Sequence, residues 1–518
     1  MTQDSFTQDN QANNKRIAKN TILLYIRMLF IMAVQLFTSR VVLNTLGVVD
    51  YGLYNVVGGI VTMFAFLNGA MVTSTQRYIT FELGKGNLQR LKEVFTTCVQ
   101  IHLIISIVII IFGETVGLWF LYEKMVIPED RFTAAMWVYQ LSILTMVVQV
   151  MSVPYNSDIV AHERMGVFAA ISVIEVVLKL AVVYMLVIGN FDKLILYAIF
   201  IAIIQLIIRF FYTKYCNKYF PESRLIRAFD KQLLVEMGKF MGWNIWGNLA
   251  FTLFGTGINL LLNMFFGPVV NAARAIAVQV ETAIANFSTN FLMAVNPQIT
   301  KLYAQNNFED MHTLLFRASK FTFFLLLVLS LPVMIETNMI LKVWLKIVPD
   351  YTVVFLRLLL CIVIVDSVAR PLMTAAAATG DVKLYQSLIG GILLSIVPIA
   401  YVVLKLGGSP ESVYLVHLII CVVAFVTRLW IIKPMIKLSL RKYFSFVVFR
   451  CLIVLAVSLP LCIMAKYILP VGVLPSIIVC TVSVVVALAV SYFVGLTSDE
   501  RQFVHAKCIE ISKKIFLH

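Results

Sequence analysis

Charge is what this 518-residue sequence has least of. Asp, Glu, Lys and Arg make up 13% of it, about half of the roughly 25% that a water-soluble fold carries. Apolar residues fill 60%, and mean hydropathy is +0.91. That balance excludes a string of soluble domains and defines a polytopic membrane protein. Acid is scarcer than base, 27 against 42, for a net +15. In a membrane chain such an excess belongs in short loops beside anionic lipid, so no nucleic-acid partner is expected. The eight cysteines include no CxxC and no Cys/His cluster with ligand spacing, so neither metal nor cofactor is expected. No Walker A motif is present to hydrolyse a nucleotide, which argues against an enzyme of that kind. The N-terminus is polar and then basic, without an apolar core and cleavage site, so no signal peptide is read.

Long apolar runs are what the sequence has instead. A bilayer core of ~30 Å needs about 20 apolar residues per helix. Splitting the chain at glycine, proline and charge gives fourteen spans. Six lie near 20–46, 52–76, 94–121, 132–158, 165–189 and 192–214. Six more lie near 239–266, 271–296, 316–336, 351–378, 384–405 and 411–432, and a last pair near 446–468 and 471–495. Placing the N-terminus in the cytoplasm puts 29 Lys/Arg in cytoplasmic segments and 7 on the opposite side, with six inside spans. By the positive-inside rule both termini are expected in the cytoplasm.

The halves repeat weakly. Shifted by 220, Leu46-Gly47-Val48-Val49 falls on Phe266-Gly267-Pro268-Val269, and Ile79-Thr80 on Ile299-Thr300. Shifted by 217, Pro154 falls on Pro371 and Ala161 on Ala378. Six helices return the chain to its starting side, so the repeats are parallel. The expected fold is therefore all-α integral membrane: two parallel-repeat six-helix bundles plus a C-terminal helix pair. The boundaries are an N-tail at 1–19, bundles at 20–216 and 239–437 joined by a cytoplasmic linker at 217–238, a helix pair at 444–496 and a C-tail at 497–518. Bundles of this kind enclose a central cavity and alternate its access by rocking.

Ionisable residues within spans cost ~2.5–3.5 kcal/mol each on insertion scales, which makes them candidates for function. They are Arg27, Arg40, Glu175, Lys179, Arg274, Glu281, Arg357, Asp366 and Arg370, with His102 and Glu114 as weaker members. Glu175–Lys179 and Asp366–Arg370 are spaced i,i+4 and form local pairs. Arg40 and Arg370 sit near span ends, where they can snorkel or meet a ligand. Arg27 has no acid within four residues and shares a helical stripe with Asn20, Val34 and Thr38. Arg274 shares one with Glu281, Ala285 and Ser288. One arginine from each half suits a hydrated cavity for an anion, because guanidinium binds phosphate bidentately and keeps its charge when buried. Arg27, Arg274, Arg40 and Arg370 are the candidate substrate-binding residues. Glu281, Asp366 and Glu175 are candidate ion-coupling residues or counter-ions.

The first hundred residues add a resemblance. Asn20-Thr21-Ile22-Leu23-Leu24-Tyr25, Thr38-Ser39-Arg40-Val41-Val42-Leu43 and the segment Leu46-Gly47-Val48-Val49-Asp50-Tyr51-Gly52-Leu53-Tyr54-Asn55 resemble the polysaccharide-transporter branch of the multidrug/oligosaccharidyl-lipid/polysaccharide (MOP) exporter superfamily. That branch includes O-antigen and capsule repeat-unit flippases; MATE drug exporters are more distant members. The resemblance implies translocation of a polyprenyl-diphosphate-linked oligosaccharide across a bacterial cytoplasmic (inner) membrane, for surface polysaccharide biosynthesis. It implies that cavity cations meet the lipid diphosphate, a role that Arg27 and Arg274 match by position. Partners implied are membrane lipid and a polysaccharide polymerase with its chain-length regulator. Two other readings stand beside it: a cation-coupled MATE-type multidrug exporter, and a membrane polysaccharide polymerase or ligase.

Overall fold

A computed structural model of the chain describes residues 3–62, 65–123, 127–186, 192–227, 229–345, 348–470, 472–498 and 500–502. Among them the chain is helical and contains no β-strand. Where lipid offers no hydrogen-bonding partner, the α-helix satisfies every backbone group within one segment. In order, the helices are α1 (Gln3–Thr62), α2 (Ala65–Lys85), α3 (Leu88–Phe112), α4 (Leu118–Glu123), α5 (Phe132–Ala161), α6 (Met165–Met185), α7 (Lys193–Tyr219), α8 (Lys231–Phe266) and α9 (Pro268–Ala304). There follow α10 (Phe308–Ile335), α11 (Thr337–Leu345), α12 (Thr352–Thr379), α13 (Lys383–Leu394), α14 (Ile396–Lys405), α15 (Ser412–Met435), α16 (Leu440–Tyr443), α17 (Phe449–Ile468) and α18 (Val473–Val490).

Twelve helices among the described residues are long and apolar enough to cross a membrane. Two expected spans are not among them. Span 52–76 divides between α1 and α2 around residues 63–64, which lie outside the described residues. Span 271–296 lies within α9, whose Asn271, Arg274, Glu281, Asn286, Ser288 and Asn290 dilute its apolar character. Both are helical where described, which is compatible with fourteen crossings. The break expected between spans 1 and 2 is absent: α1 runs unbroken through Gly47 and Gly52. Between Leu46 and Gly52 there is no proline to stop it, and glycine alone lowers helix stability by only ~1 kcal/mol.

The chain forms two compact units, Met1–Thr252 with Met293–Asn307 and Ala377–Ser387, and Leu253–Leu292 with Phe308–Ala376 and Leu388–His518. In the first, Phe95, Val138, Tyr139 and Ile159 are fully buried, while Leu103, Ile104, Ile107, Val108 and Ile111 on α3 are exposed apolar surface suited to lipid. A wide π-type turn at Gly113–Gly117 lets the Tyr139 hydroxyl donate to the Gly113 carbonyl at 2.6 Å. A Cβ on Gly117 would fall 2.0 Å from that hydroxyl. In the second unit Phe355, Leu360, Leu262 and Tyr414 form the centre. Its α10 holds Lys320 almost fully buried, with Nζ 2.7 and 2.6 Å from the Glu500 carboxylate. Glu500 also closes a reciprocal cap with Thr497, taking the Thr497 N–H at 2.9 Å while its own N–H meets Thr497 Oγ1 at 3.4 Å.

The repeat is visible in the backbone. Pro154 lies inside α5 and Pro371 inside α12, near the same end of each helix. Glu163 and Gly380, 217 residues apart, both turn the chain with positive φ, 59° and 85°. Gly86 and Asn306, 220 apart, do the same at 74° and 56° after α2 and α9. Gly380 is needed twice over: L side chains cost roughly 1–2 kcal/mol in that region, and a Cβ there would lie 2.6 Å from Arg77 Nη2. Gly380→Ala is expected to destabilise the protein by about 1–3 kcal/mol, measured by unfolding in mixed micelles.

Candidate functional site

The first unit gathers three features. Arg27 on α1 is half-buried with its guanidinium 4.5 Å from the centre of the Phe168 ring on α6. Among the described residues its Nε has no hydrogen-bond partner, and the Glu175 carboxylate acts on it electrostatically. The acid that local spacing does not supply therefore comes from another helix. Glu175 itself is held by Lys179 at 2.6 Å, as its i,i+4 spacing predicts, and by Gln205 at 3.1 Å. The Arg40 side chain lies outside the described residues. Asp50, at the centre of the family-like segment, is bound by Arg131, which also reaches Asp192, the N-terminal cap of α7.

The second feature is a pair of locks joining opposite sequence repeats. In one, the Glu163 carboxylate after α5 meets Lys301 Nζ at 2.7 Å and Gln298 Nε2 at 2.7 and 2.8 Å, both from α9. Arg16 Nε of α1 lies 2.6 Å away, and Asn20 donates to the Glu163 carbonyl at 3.1 Å. Asn20, expected on one helical stripe with Arg27, is thus engaged in this lock. In the other, Arg77 on α2 donates to the Ala378 carbonyl at 3.1 Å from above Gly380. Its guanidinium also lies against Tyr78, Phe81 and Phe240. The locks are pseudo-symmetric, because the end of the second helix of each repeat grips the turn after the fourth helix of the other. Gly84 brings α2 close to Lys301 and Ala304, 2.9 Å from its would-be Cβ at the nearest atom.

The third feature lies beside the Glu163 turn. Asp158, His162 and Glu222 place ligand-type atoms within 4.8 Å of one another.

The second unit concentrates charge on α9, α12 and α15. Arg274 donates through Nη2 to the Gly255 carbonyl at 2.8 Å and through Nη1 to Asn259 at 3.3 Å, beside Tyr414. Asp366 accepts from Arg428 at 2.6 Å and lies 3.4 Å from Arg370, whose Nη1 reaches Thr289 at 3.3 Å. Glu281 is near both Arg370 and Asp366, and bonds Thr282 at 3.3 Å. His417 packs edge-on against Phe254 at 5.2 Å and feels Asp366 and Arg274. Four of the expected site residues, Arg274, Glu281, Asp366 and Arg370, therefore share one neighbourhood. Arg357 does not: it bonds the Met334 carbonyl and Thr337 at 3.0 and 3.3 Å. His102 is tied to the Cys98 carbonyl at 2.7 Å, and Glu114 to Gln140 at 3.2 Å.

Three charged or polar groups escape a reading of the sequence. Arg428 and Lys320 count with the loops because they lie near span ends, yet both are buried on helices. His417 passes as a single polar residue in an apolar run. Its signal is position: about one turn from Tyr414 and about three turns from Arg428 on α15.

No protein-family model matches the sequence, and comparison with curated proteins returns no match. Solved structures do match the fold. A MATE in the straight conformation gives a TM-score of 0.70 at 14% identity, over 82% of this chain and 97% of that one. An outward-facing multidrug resistance MATE family transporter of the MOP superfamily gives 0.69 at 12% identity, over 81% and 96%. A MOP superfamily transporter from Pyrococcus furiosus, described by a binding pocket of reverse polarity that suggests a different function, gives 0.66 at 14%, over 81% and 96%. The chain shares its fold with these structures. At these identities the likeness concerns fold.

Proposed function

We propose that this protein is a flippase that moves a polyprenyl-diphosphate-linked oligosaccharide from the inner to the outer leaflet of a bacterial inner membrane, with both termini cytoplasmic. The observation that carries the reading is the guanidinium excess on α9, α12 and α15: Arg274, Arg370 and Arg428 against Glu281 and Asp366. Asp366 lies 2.6 Å from Arg428 and 3.4 Å from Arg370, an arrangement that suits the counter-ion role. Arg274 uses two of five N–H donors on Gly255 and Asn259, leaving others for a phosphate oxygen. Arg27, edged by an aromatic ring and with Nε unsatisfied, is the matching candidate of the first unit. The charged head would cross within protein while the polyprenyl tail stays in lipid, which avoids the cost of placing unpaired polar groups in hydrocarbon. The two locks would part as the substrate enters and re-form behind it. Membrane lipid, a polymerase and its chain-length regulator are the partners this role requires.

A MATE-type cation-coupled exporter is the second reading, favoured by the fold neighbours themselves. It needs an acid free to bind a cation, and Glu281 is the candidate. The test is complementation of a strain lacking this gene. Arg274→Ala and Arg27→Ala are expected to reduce surface glycan at least tenfold, ~1.4 kcal/mol or more of transition-state stabilisation, at unchanged levels of inserted protein. Full display in the double variant removes the arginine assignment, whereas drug sensitivity as the sole phenotype of the null strain selects the exporter.

A further inference from the structure

Two carboxylates are buried beside one imidazole at the end of α5. Asp158 is fully buried and Glu222 is 1% exposed. Among the described residues, neither Asp158 oxygen nor Glu222 Oε1 takes part in a hydrogen bond of ordinary geometry. His162 Nε2 lies 3.1 Å from Glu222 Oε1, and Nδ1 lies 3.4 Å from Asp158 Oδ1. Among the described residues no lysine or arginine forms an ion pair with either acid. Two ionised carboxylates buried together with a single imidazole are strongly disfavoured, so a further cation or a proton on one acid must offset the charge.

The surroundings hold the imidazole in one orientation. Its ring stacks on Phe220 at 3.9 Å and 13°. Nδ1 lies 3.1 Å from the Asp158 backbone carbonyl, the contact that fixes a metal-binding histidine as the tautomer with a free Nε2. Ligand atoms around a tetrahedral ion with bonds of about 2.0–2.1 Å stand about 3.4 Å apart; Nε2 and Glu222 Oε1 are 3.1 Å apart, and one ligand-type atom from each of the three residues lies within 4.8 Å of the others.

We propose that Asp158, His162 and Glu222 form a binding site for a divalent transition-metal ion of the Zn2+ or Mn2+ type. One imidazole nitrogen and one oxygen from each acid supply three ligands, and water completes the shell, a donor set that suits these ions. The ion would neutralise the buried acids and staple the Pro221–Ser223 turn after α7 to the end of α5. That staple fixes His162, which faces Glu222 in space and precedes Glu163 in sequence, so it steadies the turn that presents the Glu163 lock.

The test uses full-length protein purified in detergent without a polyhistidine tag, stripped with EDTA and dialysed against micromolar Zn2+ or Mn2+, with Mg2+ as control. Metal content by mass spectrometry is expected at about one equivalent of Zn2+ or Mn2+ per chain, with a higher Tm in the metal-loaded protein. Asp158→Asn is expected to weaken binding at least tenfold, and Asp158→Asn with Glu222→Gln to abolish both the binding and the Tm response. Wild-type protein that retains neither metal, or a double variant that binds as the wild type does, overturns the site. If the double variant does not fold, the wild-type stoichiometry decides alone.

Discussion

Glu163→Ala is expected to open the protein at the end where the two repeats are locked. The substitution strands Lys301 and Gln298 and releases Arg16 from the carboxylate. A hydrogen bond to a charged group is worth about 1.5–3 kcal/mol, but Arg16 is 47% exposed and Lys301 21%, so solvent screening reduces the total. A net shift of about 2 kcal/mol changes the closed-to-open ratio roughly thirtyfold. Ser74, 1% exposed on α2 and within hydrogen-bonding range of Asn244 at 3.4 Å, is a suitable reporter. With the eight native cysteines replaced and Ser74→Cys introduced, labelling by a membrane-impermeant maleimide should rise at least tenfold in Glu163→Ala. It should rise further when Arg77→Ala removes the second lock. Labelling that stays at the parental rate in the double-lock variant would show that neither contact holds this end closed.

The second large effect concerns stability. Glu500→Gln or Lys320→Met is expected to destabilise the second unit by about 3–5 kcal/mol, because each leaves a buried charge without its short-range partner. Replacing both, with Lys320→Met and Glu500→Leu, should recover most of the loss, since an apolar pair avoids the desolvation of two ions. Unfolding in mixed micelles gives the comparison. Equal losses in the single and double variants would mean that shape, not charge, matters there.

How much can be read in advance depends on the distance along the chain between partners. Glu175–Lys179 is legible because both residues lie on one helix one turn apart. Asp366–Arg370 is legible for the same reason, but the shorter contact of Asp366 is to Arg428, 62 residues away. The Lys320–Glu500 pair spans 180 residues and leaves no local trace. The Asp158–His162–Glu222 group is invisible to a search for cysteine and histidine spacing, since two of its members are acids and one arrives from beyond α7. The fold is more readable than the sites, because apolar length is a local property and twelve of the expected spans recur as apolar helices. The continuous α1 escapes because glycine and a lone aspartate resemble a loop in sequence, while Arg131 donates to that aspartate within a helix.

The Lys320–Glu500 pair also sets an order on biogenesis. A ribosome makes Lys320 long before Glu500, at about 5–20 residues per second, so α10 enters the membrane region carrying a cation whose partner has not been synthesised. During that interval the ammonium group must be hydrated, held by lipid phosphate or guarded by a chaperone. Final closure of the second unit is thereby tied to late translation.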